Sequence, residues 1–252
     1  MAEPIRVESS DRVRIIRMDR PDKKNALTGA MYSAMTEALR QAESDASVRV
    51  VLITGTENCF TAGNDLADFA AAKPGQPAPA IRYLETLAAM TKPVVAAVSG
   101  VAIGIGTTML LHCDLVYAAT NATFQLPFVN LGLCPEAASS LILPARMGHA
   151  RAAELLFFGE PFGVEEAYDL GLINEVFSDL MPGALGKAQK LVEKPPAALR
   201  TTKRLLRSAQ ADAIKQAMAR ETEQFAALLQ AGEAKEAMAA FLERRKPDFS
   251  RF

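Results

Sequence analysis

The sequence predicts an α/β fold with parallel strand pairing, and three observations predict it. Val48–Thr54 and Pro93–Ser99 are short unbroken runs rich in β-branched and small apolar residues. Such runs mark strands covered on both faces, as in parallel sheets. Helix-patterned segments alternate with them, supplying the crossovers that parallel neighbours require. After Pro135 the pattern becomes helical, so an α/β core is followed by a helical tail with no Ser- or Gly-rich linker between them.

The elements follow in order. Val13–Met18 reads as a strand stopped by the turn residues Arg20-Pro21-Asp22. Thr28 can cap a helix whose stripe runs through Met31, Met35 and Leu39. Strand Val48–Thr54 leads through Gly55 to Gly63 into a short helical segment from Leu66. Ala70–Ala80 holds Pro74, Pro77 and Pro79, a proline density expected of a mobile surface loop. Strand Pro93–Ser99, a glycine-opened helix Ile103–His112 and strand Asp114–Ala118 come next. The tail is expected to contain helices over Glu136–Met147, Ala150–Phe157, Val164–Tyr168, Gly183–Val192 and Ala197–Ala209. One long final helix is expected from Ala211 to Arg244.

Composition narrows the chemistry. A chain of 252 residues can bury a sizeable core. Its 28 basic and 29 acidic groups leave no electrostatic footprint for nucleic acid or an anionic membrane. The most apolar stretch, Val94–Leu111, is crossed by glycines, Ser99 and two threonines, which disfavours a membrane span. No signal-like segment precedes strand-like Ile5–Val7, and three cysteines without a CxxC pair suit a reducing compartment, so a cytoplasmic protein is expected. Two histidines make a His-rich metal site improbable. No GxSxG, HExxH or GxxxxGK[ST] motif occurs, and Gly104-Ile105-Gly106 departs from the dinucleotide fingerprint at Met109.

Two glycine-bearing turns remain: Phe60–Leu66 and Gly100–Gly106. First-turn helix amides lack partners and sit at the positive end of the dipole. Two such turns facing each other would offer two N–H donors to one oxygen, an oxyanion hole. Ordinary strand-to-helix turns with glycine for close packing fit the same spacing.

The residues resemble the crotonase (enoyl-CoA hydratase/isomerase) superfamily. Arg20-Pro21 with Asn25-Ala26-Leu27 resembles RPxxxNAL; Phe60–Leu66 resembles F[ST]AGxDL; Lys92–Gly100 resembles KPVIAAVxG. Cys113-Asp114, Glu166–Val176 and Phe241–Pro247 resemble the family's CD, EAxxxGLVNEV and FxExRKP segments. The resemblance implies the ClpP/crotonase-like fold, repeated ββα units in a spiral core, plus a C-terminal helical region. It divides the chain into a core with the acyl-CoA site, 1–195, and a helical oligomerisation region, 196–252. It also implies an acyl-CoA thioester substrate, no cofactor beyond that coenzyme A, and a homotrimer or dimer of trimers.

The resemblance also implies the site. The oxyanion donors would be the amides of Asn64 and Ile105, with Ala62, Gly63, Asp65 and Leu66 lining the substrate channel. Lys24, Ala26, Gly104 and Pro135 would contact substrate, and Lys23 is a candidate phosphate neighbour. Family hydratases carry two glutamates at the positions of Thr108 and Phe128 here, so two-glutamate hydration is disfavoured. Instead Leu131–Ser140 resembles the LGxxPExxSS segment of peroxisomal-type Δ3,Δ2-enoyl-CoA isomerases, whose base maps to Glu136. A rival explanation for Glu136 is an acid in the first turn of a helix after Pro135. Apolar Leu126, Phe128 and Leu133 are expected to raise its pKa. The implied reaction is isomerisation of 3-enoyl-CoA in fatty-acid or related acyl-CoA metabolism, such as β-oxidation. The alternatives are another acyl-CoA enzyme of this fold, hydratase-like, or a non-catalytic acyl-CoA-binding member.

Overall fold

The N-terminal strands β1 (Ile5–Ser10) and β2 (Val13–Met18) form an antiparallel hairpin. Its turn places Asp11 and Arg12 at φ 46° and 67°, the doubly left-handed turn that matches strand twist. The structure is a computed structural model and describes residues 3–65, 67, 68 and 78–252. Helix α1 (Gly29–Ser44) follows, and Thr28 caps it by accepting the Met31 amide. Strand β3 (Val50–Thr54) pairs parallel to β2, and the short β4 (Cys59–Thr61) leaves for a second sheet. Then come α2 (Pro79–Ala89), β5 (Val94–Val98) and β6 (Val101–Ile103), followed by α3 (Ile105–Thr108), which tightens into a 3-10 turn over Met109–His112. Strands β7 (Leu115–Ala119) and β8 (Thr123–Gln125) complete the repeats.

The larger sheet has the order β1-β2-β3-β5-β7-β10, where β10 is Glu175–Phe177. Residues alternate across it as the two-residue period demands. Val51, Ile53, Val94 and Ala96 face the main core, whereas Val50, Leu52, Val95 and Ala97 face a smaller one. Helices α4 (Ser139–Met147), α5 (His149–Phe158) and α6 (Val164–Asp169) precede β10, with strand β9 (Phe162–Gly163) between α5 and α6. Helix α7 (Leu180–Val192) closes the smaller core with Leu180, Ala184 and Ala188. The smaller sheet runs β4-β6-β8-β9, and its neighbours β4 and β6 lead into the two glycine turns.

Asp114 shows how a short motif sets the architecture. Its carboxylate accepts the Val94 amide at 2.8 Å and Lys203 Nζ at 2.6 Å, and pairs with Arg207 at 3.0 Å. Lys203 and Arg207 lie on α8 (Pro196–Ser208), so this contact clamps the first tail helix under strands β5 and β7. Tail helices α9 (Ala211–Leu229) and α10 (Gly232–Leu242) then pack Ala217 and Ala234 into the main core.

Several boundaries differ from expectation. The expected single last helix breaks between Leu229 and Gly232, because Ala231 is extended and Gly232 packs where a Cβ would lie 2.4 Å from the Phe252 ring. Ile103 ends a strand instead of opening a helix, since β6 pairs with β8 through Ile103 and Gln125. Residues 70–77 of the expected proline loop lie outside the described residues, while Pro79 and Ala80 open α2. The helix expected from Glu136 begins at Ser139, because Ala137 and Ala138 are left-handed at φ 60° and 56°. Glu136 is therefore outside the helix, which removes the first-turn explanation for it.

Candidate active site

The site is assembled where the two glycine turns meet. Gly63 has φ 89°, and a Cβ there would lie 2.7 Å from the Ile103 carbonyl oxygen. A Cβ on Gly106 would lie 2.7 Å from Thr61 Cγ2. Only glycine lets the turns approach this closely. The parallel pairing of β4 with β6 holds them side by side.

Hydrogen bonding aims the amides. Leu27 donates to Gly63 O at 2.8 Å and accepts from Asp65 N at 2.9 Å. These two bonds flank Asn64, so its own N–H projects to the opposite side of the segment. Gly104, at φ 57° and ψ −117°, turns the chain so that Ile105 opens α3 with an orphan first-turn amide. Among the described residues, neither the Asn64 nor the Ile105 amide donates to a protein acceptor.

The first turn is braced by side chains of the Arg20–Leu27 segment. Buried Asn25 donates through Nδ2 to Cys59 O at 2.7 Å and Phe60 O at 3.1 Å, and accepts Arg20 N at 2.7 Å. Arg20 also donates to Asp65 at 2.7 Å, which lowers the Asp65 pKa below the carboxylate range. Asp65, expected to line the channel, thus locks the loop by its side chain. Ala62 N and Lys24 O share a bond of 2.9 Å, and Ala26 O accepts from Arg20, which ties the expected substrate-contacting backbone together. Leu66 lies outside the described residues.

Glu136 approaches the same place from the chain after Pro135. Thr108, three residues beyond Ile105, donates its hydroxyl to Glu136 Oε1. Burial pushes the Glu136 pKa up to about 7; the Thr108 bond opposes that rise and the Glu221 charge adds to it. Leu126, Phe128 and Leu133 are buried in the core that contains Ala137 and Ala138. His112 supports the turn from below, its Nε2 2.8 Å from the Ala137 carbonyl. Because a carbonyl only accepts, this nitrogen carries the proton, and burial holds the ring neutral with a pKa of about 4.

Tyr32 links the two halves of the site. Its hydroxyl donates to Asn64 Oδ1 at 2.5 Å, and burial, followed by the Glu136 charge, raises its pKa well above normal. Tyr32 lies on the buried face of α1 beside Met31 and Met35, where its polar tip needs a partner. That need was the one sequence signal for it. Glu221 on α9 had none, since an acid in an amphipathic helix looks like any solvated one.

The profile of the enoyl-CoA hydratase/isomerase family matches residues 8–251. The chain belongs to this family. It is a crotonase-family enzyme of acyl-CoA chemistry. It is 35% identical over 249 residues to 2,3-dehydroadipyl-CoA hydratase of Escherichia coli K12, covering 96% of this chain and 97% of that one. It is 38% identical over 212 residues to enoyl-CoA delta isomerase 2 of Rattus norvegicus, covering 81% of this chain and 54% of the longer relative. The solved structure of Pseudomonas aeruginosa OdaA superposes with a TM-score of 0.94 at 47% identity, covering 96% of this chain and all of that one. Crotonase-family relatives named for hydration and for isomerisation are thus similar to it to nearly the same degree, and the distinction rests on side chains.

Asn64→Ala separates amide from side chain in this crotonase-family site. The amide stays, so kcat is expected to fall less than about fivefold. The buried Tyr32 hydroxyl loses its acceptor, which is expected to cost about 1–3 kcal/mol of stability. Adding Tyr32→Phe should recover most of that loss in a denaturation experiment. A large kcat loss would assign the Asn64 side chain to the chemistry.

Proposed function

We propose that this enzyme is a Δ3,Δ2-enoyl-CoA isomerase. The observation that carries the reading is Glu136: a part-buried carboxylate that accepts the hydroxyl of Thr108, the residue at the position of a hydratase glutamate, with its pKa pushed up to about 7. The other hydratase position holds Phe128, buried and without a carboxylate.

In this reading the thioester carbonyl of a 3-enoyl-CoA accepts hydrogen bonds from the Asn64 and Ile105 amides. Charge developing on that oxygen acidifies C2. Glu136 takes the C2 proton, leaving a dienolate delocalised from the oxygen to C4, and the protonated Glu136 returns the proton to C4. The C3–C4 double bond becomes C2–C3, with no net change in atoms or electrons and no cofactor beyond the substrate's coenzyme A. A carboxyl with a pKa near neutrality suits both the base and the acid step. Thr108 steadies the carboxylate between them.

In this reading Gly63, Gly104 and Pro135 line the acyl pocket, and Lys23 and Lys24 meet the coenzyme A phosphates. The enzyme works in the cytoplasm as a trimer or paired trimers. Exposed Leu205, Leu206, Phe241 and Leu242 on the tail helices support association. Among the described residues, no helix is long and apolar enough to cross a membrane.

The test is incubation of the purified protein with 3-hexenoyl-CoA and 2-hexenoyl-CoA separately. Conversion of the first to the conjugated thioester, with no hydroxyacyl-CoA from the second, is expected. Water addition to 2-hexenoyl-CoA at a comparable rate would overturn the assignment in favour of a hydratase.

A further inference from the structure

The two residues after Glu136 are alanines held in a conformation that L residues disfavour, and an acid from the tail holds them there. Ala137 and Ala138 sit at φ 60° and 56° in succession. Each left-handed alanine is strained and persists only where its surroundings enforce it. The enforcing group is Glu221 of α9. Its carboxylate accepts Ala138 N at 2.5 Å, Ser140 N at 2.9 Å and Ser140 Oγ at 2.5 Å. Glu221 is 7% exposed and, among the described residues, has no Lys or Arg ion-pair partner. A buried carboxylate with no cation is held by these three donors instead.

We propose that Glu221 is a positioning residue of this enzyme: it clamps the strained Ala137–Ser140 turn and thereby aims the Glu136 carboxylate. The proposal rests on the isomerase reading. The turn is gripped from both ends, because Ser139 donates N at 3.0 Å and Oγ at 2.5 Å to the Glu136 carbonyl, and His112 holds the Ala137 carbonyl. Glu221 supplies the grip that comes from outside the core repeats. The tail therefore completes the catalytic turn within one chain.

Glu221 acts on Glu136 in a second way. The groups facing Glu136 are the Thr108 hydroxyl from α3, Tyr32 from α1, Cys134 from its own loop and Glu221 from α9. Among these, Glu221 is the added negative charge that raises the Glu136 pKa beyond what burial does. Removing it lowers the pH at which Glu136 becomes a base.

The experiment compares wild type, Glu221→Gln, Ser140→Ala and Glu136→Gln on 3-hexenoyl-CoA across pH 5 to 9. Glu221→Gln is expected to lower kcat about 10- to 100-fold at pH 8, with KM changed less than about threefold. Its acid limb should move down by about 0.5–1 pH unit. Ser140→Ala keeps the charge and removes one of three donors, so kcat should fall about two- to fivefold with the acid limb unmoved. If Glu221→Gln does not fold, as read by thermal melting, the Ser140→Ala result decides: wild-type kcat overturns the proposal. Turnover by Glu136→Gln overturns the isomerase reading itself. An inactive Glu136→Gln beside a Glu221→Gln with wild-type kcat and an unmoved acid limb overturns the Glu221 proposal alone.

Discussion

Glu136→Gln is expected to abolish isomerisation while leaving acyl-CoA affinity within about threefold of wild type. Glutamine keeps the shape and the Thr108 contact but cannot take a proton from C2. In the proposed mechanism one group both removes and returns the proton, so a loss of at least about a thousandfold in kcat is expected. Binding of an unreactive acyl-CoA, read by calorimetry, should persist because the Asn64 and Ile105 amides are untouched. The same variant has a stability signature. The Glu136 pKa stands at about 7 in the fold against an ordinary 4.5. A raised folded value means that its contribution is fully present below pH 4.5 and is lost as pH rises through 7. At pH 8 the wild type carries a part-buried negative charge that Gln lacks, so Glu136→Gln should be more stable by about 1–3 kcal/mol there. At pH 4.5 the difference should vanish. Denaturant melts at both pH values check this; equal stability at pH 8 would show that Glu136 titrates normally.

Gly104→Ala is expected to lower kcat about 100- to 1000-fold with little change in acyl-CoA affinity. No heavy atom lies within 4 Å of a Cβ at Gly104, so the change adds no clash. Its whole effect enters through the backbone, where φ 57° and ψ −117° is glycine territory. Alanine costs about 1–3 kcal/mol of strain in such a region, or rotates the following peptide to escape it. In the proposed mechanism, either response moves the Ile105 amide away from the developing oxyanion. Steady-state kinetics on 3-hexenoyl-CoA with a thermal melt separates lost catalysis from lost fold. Near-native kcat would show that the Ile105 amide does not bear the transition-state charge.

The central strands were legible because β3 and β5 are buried on both faces and so read as unbroken apolar runs. The glycine turns were legible as well, since a positive φ or a close approach needs glycine at that very position. Helix ends were less so. The start of α4 moved from Glu136 to Ser139 because a distant carboxylate overrides local propensity. The break near Ala231 depends on packing of Gly232 against Phe252. Asp65 read as a channel residue, yet its partner Arg20 lies 45 residues earlier.

The sequence by itself determined the α/β core, the helical tail, both glycine-bearing turns and the presence of Glu136, Thr108 and Phe128. Each of these is written in local residue type or spacing. Tertiary structure alone decided that Thr108 meets Glu136, that Tyr32 holds Asn64, and that α9 delivers Glu221 to the turn. These depend on contacts between residues 28, 32 and 83 positions apart. A buried carboxylate and a solvated one have the same letter, and only the fold determines how much water and how many N–H donors each keeps.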